Sequence, residues 1–180
     1  VVNQTEFYPG TLVSWKREDQ QFWFHCDNGV ILQVHVLSDR MMRFRFATEG
    51  FFYPDFSYAI APDFQEEQTT LRIKERESYI SIKTPAIECK LSKSGLRTSL
   101  LTSKGDVILD DDKGFHWEKS PHGGDIVQMS KRAQAEEQYF GLGDKTCHLG
   151  LRGERMQNWV TDCFGYGPQT DPLYRAIPFY

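Results

Sequence analysis

The chain has 180 residues, of which 39% are hydrophobic, 26% charged and 14% aromatic, with a formal net charge of −4. That length fits one domain of the usual about 100–200 residues, and a chain this size buries roughly 70% of its unfolded surface, so one core without staples is feasible. The charge balance argues against nucleic acid, which usually needs a basic face, and no apolar run approaches the about 18 residues of a membrane span.

The dominant pattern is period-two alternation, the mark of strands with one buried face. A first strand is expected at 11–15. Phe22, Phe24 and Cys26 then share one side of a second run, and Leu32, Val34 and Val36 one side of a third. Between them, Asp27-Asn28-Gly29 is a strong hairpin cue. Met42-Arg43-Phe44-Arg45-Phe46 alternates apolar and basic residues without a break. Leu71-Arg72-Ile73-Lys74-Glu75, Ile80-Ser81-Ile82-Lys83 and Ile87-Glu88-Cys89-Lys90-Leu91-Ser92 repeat the pattern. Further strands are expected at 96–102, 107–109, 126–131 and 138–142. Thr84-Pro85, Ser94-Gly95, Lys104-Gly105-Asp106 and His122-Gly123-Gly124 supply the turns. No segment carries a sustained helical period, and there is no internal repeat or low-complexity tract. Short strands at roughly 8–12-residue spacing imply an all-β fold, an antiparallel β-sandwich or barrel.

Two stretches break the alternation. Residues 51–68 are rich in aromatics and acids (Phe51, Phe52, Tyr53, Phe56, Tyr58, Phe64) and read as a long loop. Residues 146–171 hold Arg152, Arg155, Trp159, Asp162, Phe164 and Tyr166 among glycines. Loops this long are usually functional or disordered, and this many large aromatics argue against disorder. Asp110-Asp111-Asp112 is read as a solvated surface turn, where like charges are most simply accommodated.

Four cysteines occur, Cys26, Cys89, Cys147 and Cys163, with no C-x-x-C pair. A zinc site has little support, no metal or cofactor is expected, and four reduced thiols are favoured, one disulfide staying open for a secreted protein. The opening VVNQTEFYPG lacks an initiator Met and the features of a signal peptide. The last residues, Leu173 to Tyr180, are apolar and strand-like. Both ends lead to the expectation of a piece of a longer polypeptide. The compartment is open, with the cytoplasm slightly favoured.

The segment Tyr139-Phe140-Gly141-Leu142-Gly143-Asp144-Lys145 begins a resemblance. It continues through Leu151-Arg152-Gly153, Trp159-Val160-Thr161-Asp162, Phe164-Gly165-Tyr166-Gly167-Pro168, Thr170-Asp171-Pro172-Leu173-Tyr174 and Ile177-Pro178-Phe179. In this order the pieces resemble the N-terminal domain of family 31 glycoside hydrolases, the α-glucosidase group. The match is strong over about 40 residues, and the upstream strands are compatible with it in pattern and order. Two positions depart from it: Asp144 stands where Glu is usual, and Cys163 interrupts the loop. The resemblance implies a galactose-mutarotase-like sandwich over 1–180, packed on a (β/α)₈ barrel of the same polypeptide, with 144–172 as a long loop toward the active site. It implies retaining hydrolysis of α-linked oligosaccharides from the non-reducing end by two barrel aspartates. The family's nucleophile motif, Trp-x-Asp-Met-Asn-Glu, does not occur here. A retaining glycosidase needs two carboxylates about 5–5.5 Å apart, so this chain is not expected to complete catalysis alone.

The resemblance puts Asp162 at the mouth of the sugar pocket, where a carboxylate accepts hydrogen bonds from sugar hydroxyls. An Asx-type turn is its structural alternative. Trp159 and Phe164 offer apolar platforms for a sugar face, with loop packing as the simpler role for both. Arg152 and Arg155 suit hydroxyl binding, although pairing with Asp144 or Glu154 is the simpler reading. Gly141, Gly143, Gly165 and Gly167 are assigned to backbone geometry that excludes a Cβ. The five histidines, His25, His35, His116, His122 and His148, form no recognisable mutarotase constellation, so the sandwich resemblance carries no such activity. A stand-alone carbohydrate-binding module and a purely structural sandwich are the competing readings.

Overall fold

The computed structural model describes residues 5–57 and 60–180. Tyr58, one of the aromatics of the first long loop, lies outside the described residues. Two compact units are distinguished, Val1–Arg132 and Ala133–Tyr180. The described residues include no helix.

Among its described residues the first unit holds ten strands in two antiparallel sheets. Strands β1 (Leu12–Glu18), β2 (Gln21–Cys26), β3 (Ile31–Val36) and β4 (Met42–Ala47) form a four-stranded meander in chain order. Strands β5 (Arg72–Glu75), β6 (Tyr79–Lys83), β7 (Ile87–Ser92), β8 (Thr98–Thr102), β9 (Val107–Lys119) and β10 (Asp125–Lys131) form a six-stranded one, also in chain order. Every adjacent pair is antiparallel, as alternation and short turns require.

Register follows from the apolar sides. Phe22 stands opposite Val34, and Phe24 opposite Leu32, so four large side chains enter one face together. All four are fully buried. Across the interlayer space they meet Ile80, Ile82, Cys89 and Leu91 of the second sheet, with Phe115 and Trp117 of β9. Phe46 of β4 stacks on Phe115 with ring centroids 4.1 Å apart. Each fully buried Leu, Ile, Val or Phe contributes about 1.5–3 kcal/mol, so this interlayer is the main stabilising element of the sandwich. Burial pushes the Cys26 thiol up to about 11 and the Cys89 thiol up to about 12, so both act as small hydrophobes.

The outer face of β4 explains the aromatic loop. Arg43 forks onto Asp55, donating two hydrogen bonds of 2.6 Å. Arg45 donates to the Tyr53 carbonyl and lies 4.9 Å from the Phe52 ring centroid. At the far end, buried Gln20 donates to the carbonyls of Val36 and Glu67 and accepts from the Thr69 N–H. The loop is thus held to the sandwich by the basic side of β4 and by one buried amide.

The triple-aspartate reading needs correction. Residues 110–112 lie inside the 13-residue strand β9, and Asp111 is only 5% exposed. The β9–β10 register shifts here, from Ser130 opposite Gly114 to Lys131 opposite Asp111. At this bulge the Asp111 carboxylate accepts from the Thr98 N–H (2.7 Å) and hydroxyl (3.0 Å) and pairs with Lys131. A buried carboxylate is tolerable because its lone pairs are filled and its charge is matched. Gly114, with φ +73°, brings its backbone beside this carboxylate, where a Cβ would lie 3.0 Å from an Asp111 oxygen.

Candidate functional site

The unit Ala133–Tyr180 has no strand of its own beyond an isolated bridge between Gly143 and Ala176. The strand expected at 138–142 does not form. Gly141, Leu142 and Gly143 have φ of +99°, +64° and +85°, and three successive residues of that kind cannot pleat. The returning chain fills the space they leave. A Cβ on Gly141 would sit 2.5 Å from the Phe179 carbonyl oxygen, and one on Gly143 would sit 2.3 Å from that of Arg175. Both glycines therefore answer the expected need for close backbone approach. Gly165 has φ +72°, whereas Gly167 has an ordinary φ and open space around it, and the structure offers no reason for glycine there.

Between these points the loop is held by clips from side chain to backbone. The Lys145 side chain is 6% exposed, and its ammonium donates to the Gln157 carbonyl (2.8 Å) and to Asp171 Oδ1 (2.7 Å). Asp171 Oδ2 accepts from the Gln157 N–H at 2.5 Å, so one ion pair grips both backbone groups of a single residue. Burial acts to raise the Asp171 pKa, but the Lys145 ammonium and the Gln157 N–H outweigh it and hold the carboxyl below its ordinary value. Further along, the Thr161 N–H donates to the Leu173 carbonyl (3.0 Å), and the Tyr174 hydroxyl donates to the Cys163 carbonyl. Thr146 Oγ1 donates to the Thr170 carbonyl (3.1 Å), and Thr170 Oγ1 accepts from the Gly167 N–H (3.0 Å).

The four residues singled out from the sequence occupy different positions in this frame. Trp159 lies two residues after the Gln157 clip and is 66% exposed. Asp162 is exposed, between the anchored Thr161 and Cys163, and has no hydrogen-bond or ion-pair partner among the described residues. Phe164 follows directly, with its ring wholly in solvent. Arg152 stands apart from these three: its Nη1 donates to the carbonyls of Gln134 (2.7 Å) and Glu137 (2.5 Å). Asp144, offered above as an arginine partner, pairs with Arg175 at 3.0 Å instead.

The sequence assigned no role to Tyr174, Lys145, Asp171 or Arg175, although the first three stand within the quoted motifs. Their signal was present only as identity: Lys145, Asp171 and Tyr174 bind backbone groups 11 to 14 residues away, and Arg175 binds the Asp144 carboxylate 31 residues away. Tyr166 meets Tyr174 edge-on, with centroids 6.1 Å apart. These two rings, with the Asp144–Arg175 pair, line a cleft of about 710 Å³. Its mixed aromatic and charged wall is chemically suited to a hydroxylated ligand. Among the described residues, no group of three or more His, Cys, Asp or Glu is arranged to hold a metal ion. His35 pairs with Glu66, and His116 is buried against the Gly114 carbonyl, so these two histidines serve the sandwich.

Known proteins share this architecture. Over 173 residues the chain is 24% identical to Alpha-glucosidase 2 of Bacillus thermoamyloliquefaciens, covering 95% of itself and 21% of that protein. It superposes on a GH31 dextranase of Flavobacterium johnsoniae, solved in complex with isomaltotriose, with a TM-score of 0.84 and 25% identity, covering 96% of this chain and 21% of that one. The cycloalternan-forming enzyme of Listeria monocytogenes shares the fold at a TM-score of 0.73 and 11% identity, over 88% of this chain and 15% of that one. The chain thus spans about a fifth of the length of the first two relatives. Residues 31–180 match the family described as the glycosyl hydrolase 31 N-terminal galactose mutarotase-like domain, and the chain belongs to that family.

Proposed function

We propose that this chain is the N-terminal sandwich domain of an α-glucosidase-type enzyme that hydrolyses α-glycosidic bonds of oligosaccharides with retention. In this reading residues 1–180 act as one domain packed on a (β/α)₈ barrel, and 144–172 form the loop that reaches the substrate pocket. The barrel supplies both catalytic carboxylates, which a retaining mechanism needs about 5–5.5 Å apart. This chain supplies recognition. Asp162 accepts hydrogen bonds from sugar hydroxyls, and Trp159 and Phe164 provide flat apolar faces. Arg152 contributes through the guanidinium N–H groups left beside those on the Gln134 and Glu137 carbonyls.

The observation that carries the reading is the combination of order and exposure in one short run. Residues 157, 161 and 163 are each clipped by hydrogen bonds, while Trp159, Asp162 and Phe164 stand in solvent among them. A rigid loop presenting aromatics and a carboxylate is suited to bind a ligand or partner, because little ordering entropy remains to be lost. The names of the relatives, an α-glucosidase and a dextranase solved with isomaltotriose, support an α-linked oligosaccharide as the ligand.

The test is Asp162→Ala in the full-length enzyme. Loss of a charged hydrogen-bond acceptor is expected to lower kcat/KM by about 10-fold or more. Unchanged kinetics would refute the role. Calorimetric titration of the 180-residue chain with maltose and xylo-oligosaccharides separates the competing reading: measurable affinity without the barrel favours a stand-alone binding module, and a flat trace favours the domain.

A further inference from the structure

The Asp162 carboxylate hangs from a segment with no sheet and no helix to hold it. Its direction must therefore come from the hydrogen bonds on either side. On the N-terminal side the Thr161 N–H is bound to the Leu173 carbonyl, a backbone contact that any side chain at 173 preserves. On the C-terminal side the Cys163 carbonyl accepts from the Tyr174 hydroxyl. Residues 173 and 174 thus grip residues 161 and 163, and Asp162 lies between the two grips. Tyr174 is further braced by the Tyr166 ring, edge-on at 6.1 Å. Its phenol is held above its ordinary pKa, first by desolvation and next by the charge of the Asp162 carboxylate.

We propose that Tyr174 is a positioning residue: its hydroxyl, by holding the Cys163 carbonyl, sets the direction in which Asp162 is presented. The inference rests on the reading of Asp162 as a sugar-binding carboxylate. Tyr174 itself acts through the backbone and need not touch the sugar. Removing the hydroxyl leaves the ring and its contact with Tyr166, so Tyr174→Phe isolates the hydrogen bond.

The experiment is a double-mutant cycle in the full-length enzyme with Tyr174→Phe, Asp162→Ala and the pair, each measured for KM, kcat and thermal midpoint. Tyr174→Phe is expected to raise KM about threefold to tenfold, the range of one net hydrogen bond, with kcat changed less than about twofold. In the Asp162→Ala background the same change is expected to have no further effect, because nothing remains to be aimed. Additive effects in the cycle would overturn the proposal, and so would an unaltered KM. If Asp162→Ala alone leaves kinetics unchanged, the sugar-binding role of Asp162 fails, and the positioning role fails with it for a separate and visible reason. Amide hydrogen exchange across 159–166 gives a readout free of catalysis: Tyr174→Phe is expected to accelerate exchange there and leave the strands of the sandwich unaffected. Unaltered exchange would show that the hydroxyl does not hold the loop.

Discussion

The two units of this chain reach order by opposite routes. In Val1–Arg132 the backbone pairs with itself in ladders, and side chains fill the space between the layers. In Ala133–Tyr180 there is no ladder, and side chains of Lys145, Asp171, Thr170 and Tyr174 bind backbone groups directly. A ladder is redundant, since losing one side chain leaves its hydrogen bonds intact. A clip is not redundant, since its hydrogen bonds vanish with the residue. The sandwich is therefore expected to tolerate most outward substitutions, and the loop unit to be sensitive at a few polar positions that look unremarkable by hydropathy.

The largest effect should come where the sandwich itself departs from its ladder. Asp111→Ala leaves the Thr98 N–H and the Lys131 ammonium without their partner at the β9 bulge. Lys131 keeps some solvent access, so a loss of about 2–3 kcal/mol is expected, less than for a fully sealed pair. Urea unfolding reads it, and a change under about 0.5 kcal/mol would show that the bulge does not depend on the carboxylate.

A paired glycine substitution sharpens the contrast at intermediate size. Gly143→Ala drives a Cβ to within 2.3 Å of a backbone oxygen at φ +85°, so the strand-like return at 175–179 must shift. About 1.5–2 kcal/mol is expected. Gly29→Ala, at φ +83° with open space around it, carries only the conformational cost of about 1 kcal/mol. Equal thermal shifts for the two would mean that backbone crowding contributes nothing at Gly143.

The smallest effect is a pH dependence confined to the loop. The Asp171 pKa is depressed in the folded protein, so its contribution is present above the unfolded carboxylate value and lost as pH falls through the folded one. Exchange protection at Gln157 should be flat from neutrality to about pH 5 and decline below about pH 4. Lys145→Met should lower the protection at neutral pH and weaken that decline, because only the Gln157 N–H then holds the carboxyl down. A decline centred near neutrality would point to another group.

Much of the sandwich was legible because alternation is a local property. Met42-Arg43-Phe44-Arg45-Phe46 became β4 with its apolar side inward, and Ile87 to Ser92 became β7 with the expected bounds. Even so, Ser81 is buried on the polar side of β6, where its hydroxyl donates to Glu88. The failures were non-local. The run 110–112 looked like a turn because a bulge has no hydropathy signature, and 138–142 looked like a strand because the positive φ values of Gly141 to Gly143 are set by a segment some 35 residues away.

From the residue order alone came the strand sides, the hairpin at Asp27-Asn28-Gly29, the family, and the four residues Trp159, Asp162, Phe164 and Arg152 as candidates. Folding alone decided that Asp111 is buried, that Arg152 binds carbonyls, and that Lys145, Asp171 and Tyr174 clip the loop. The physical reason is one of range. A pleat repeats every two residues and writes itself into composition, whereas a hydrogen bond to a distant carbonyl leaves no trace in the sequence around that carbonyl, because every residue has one.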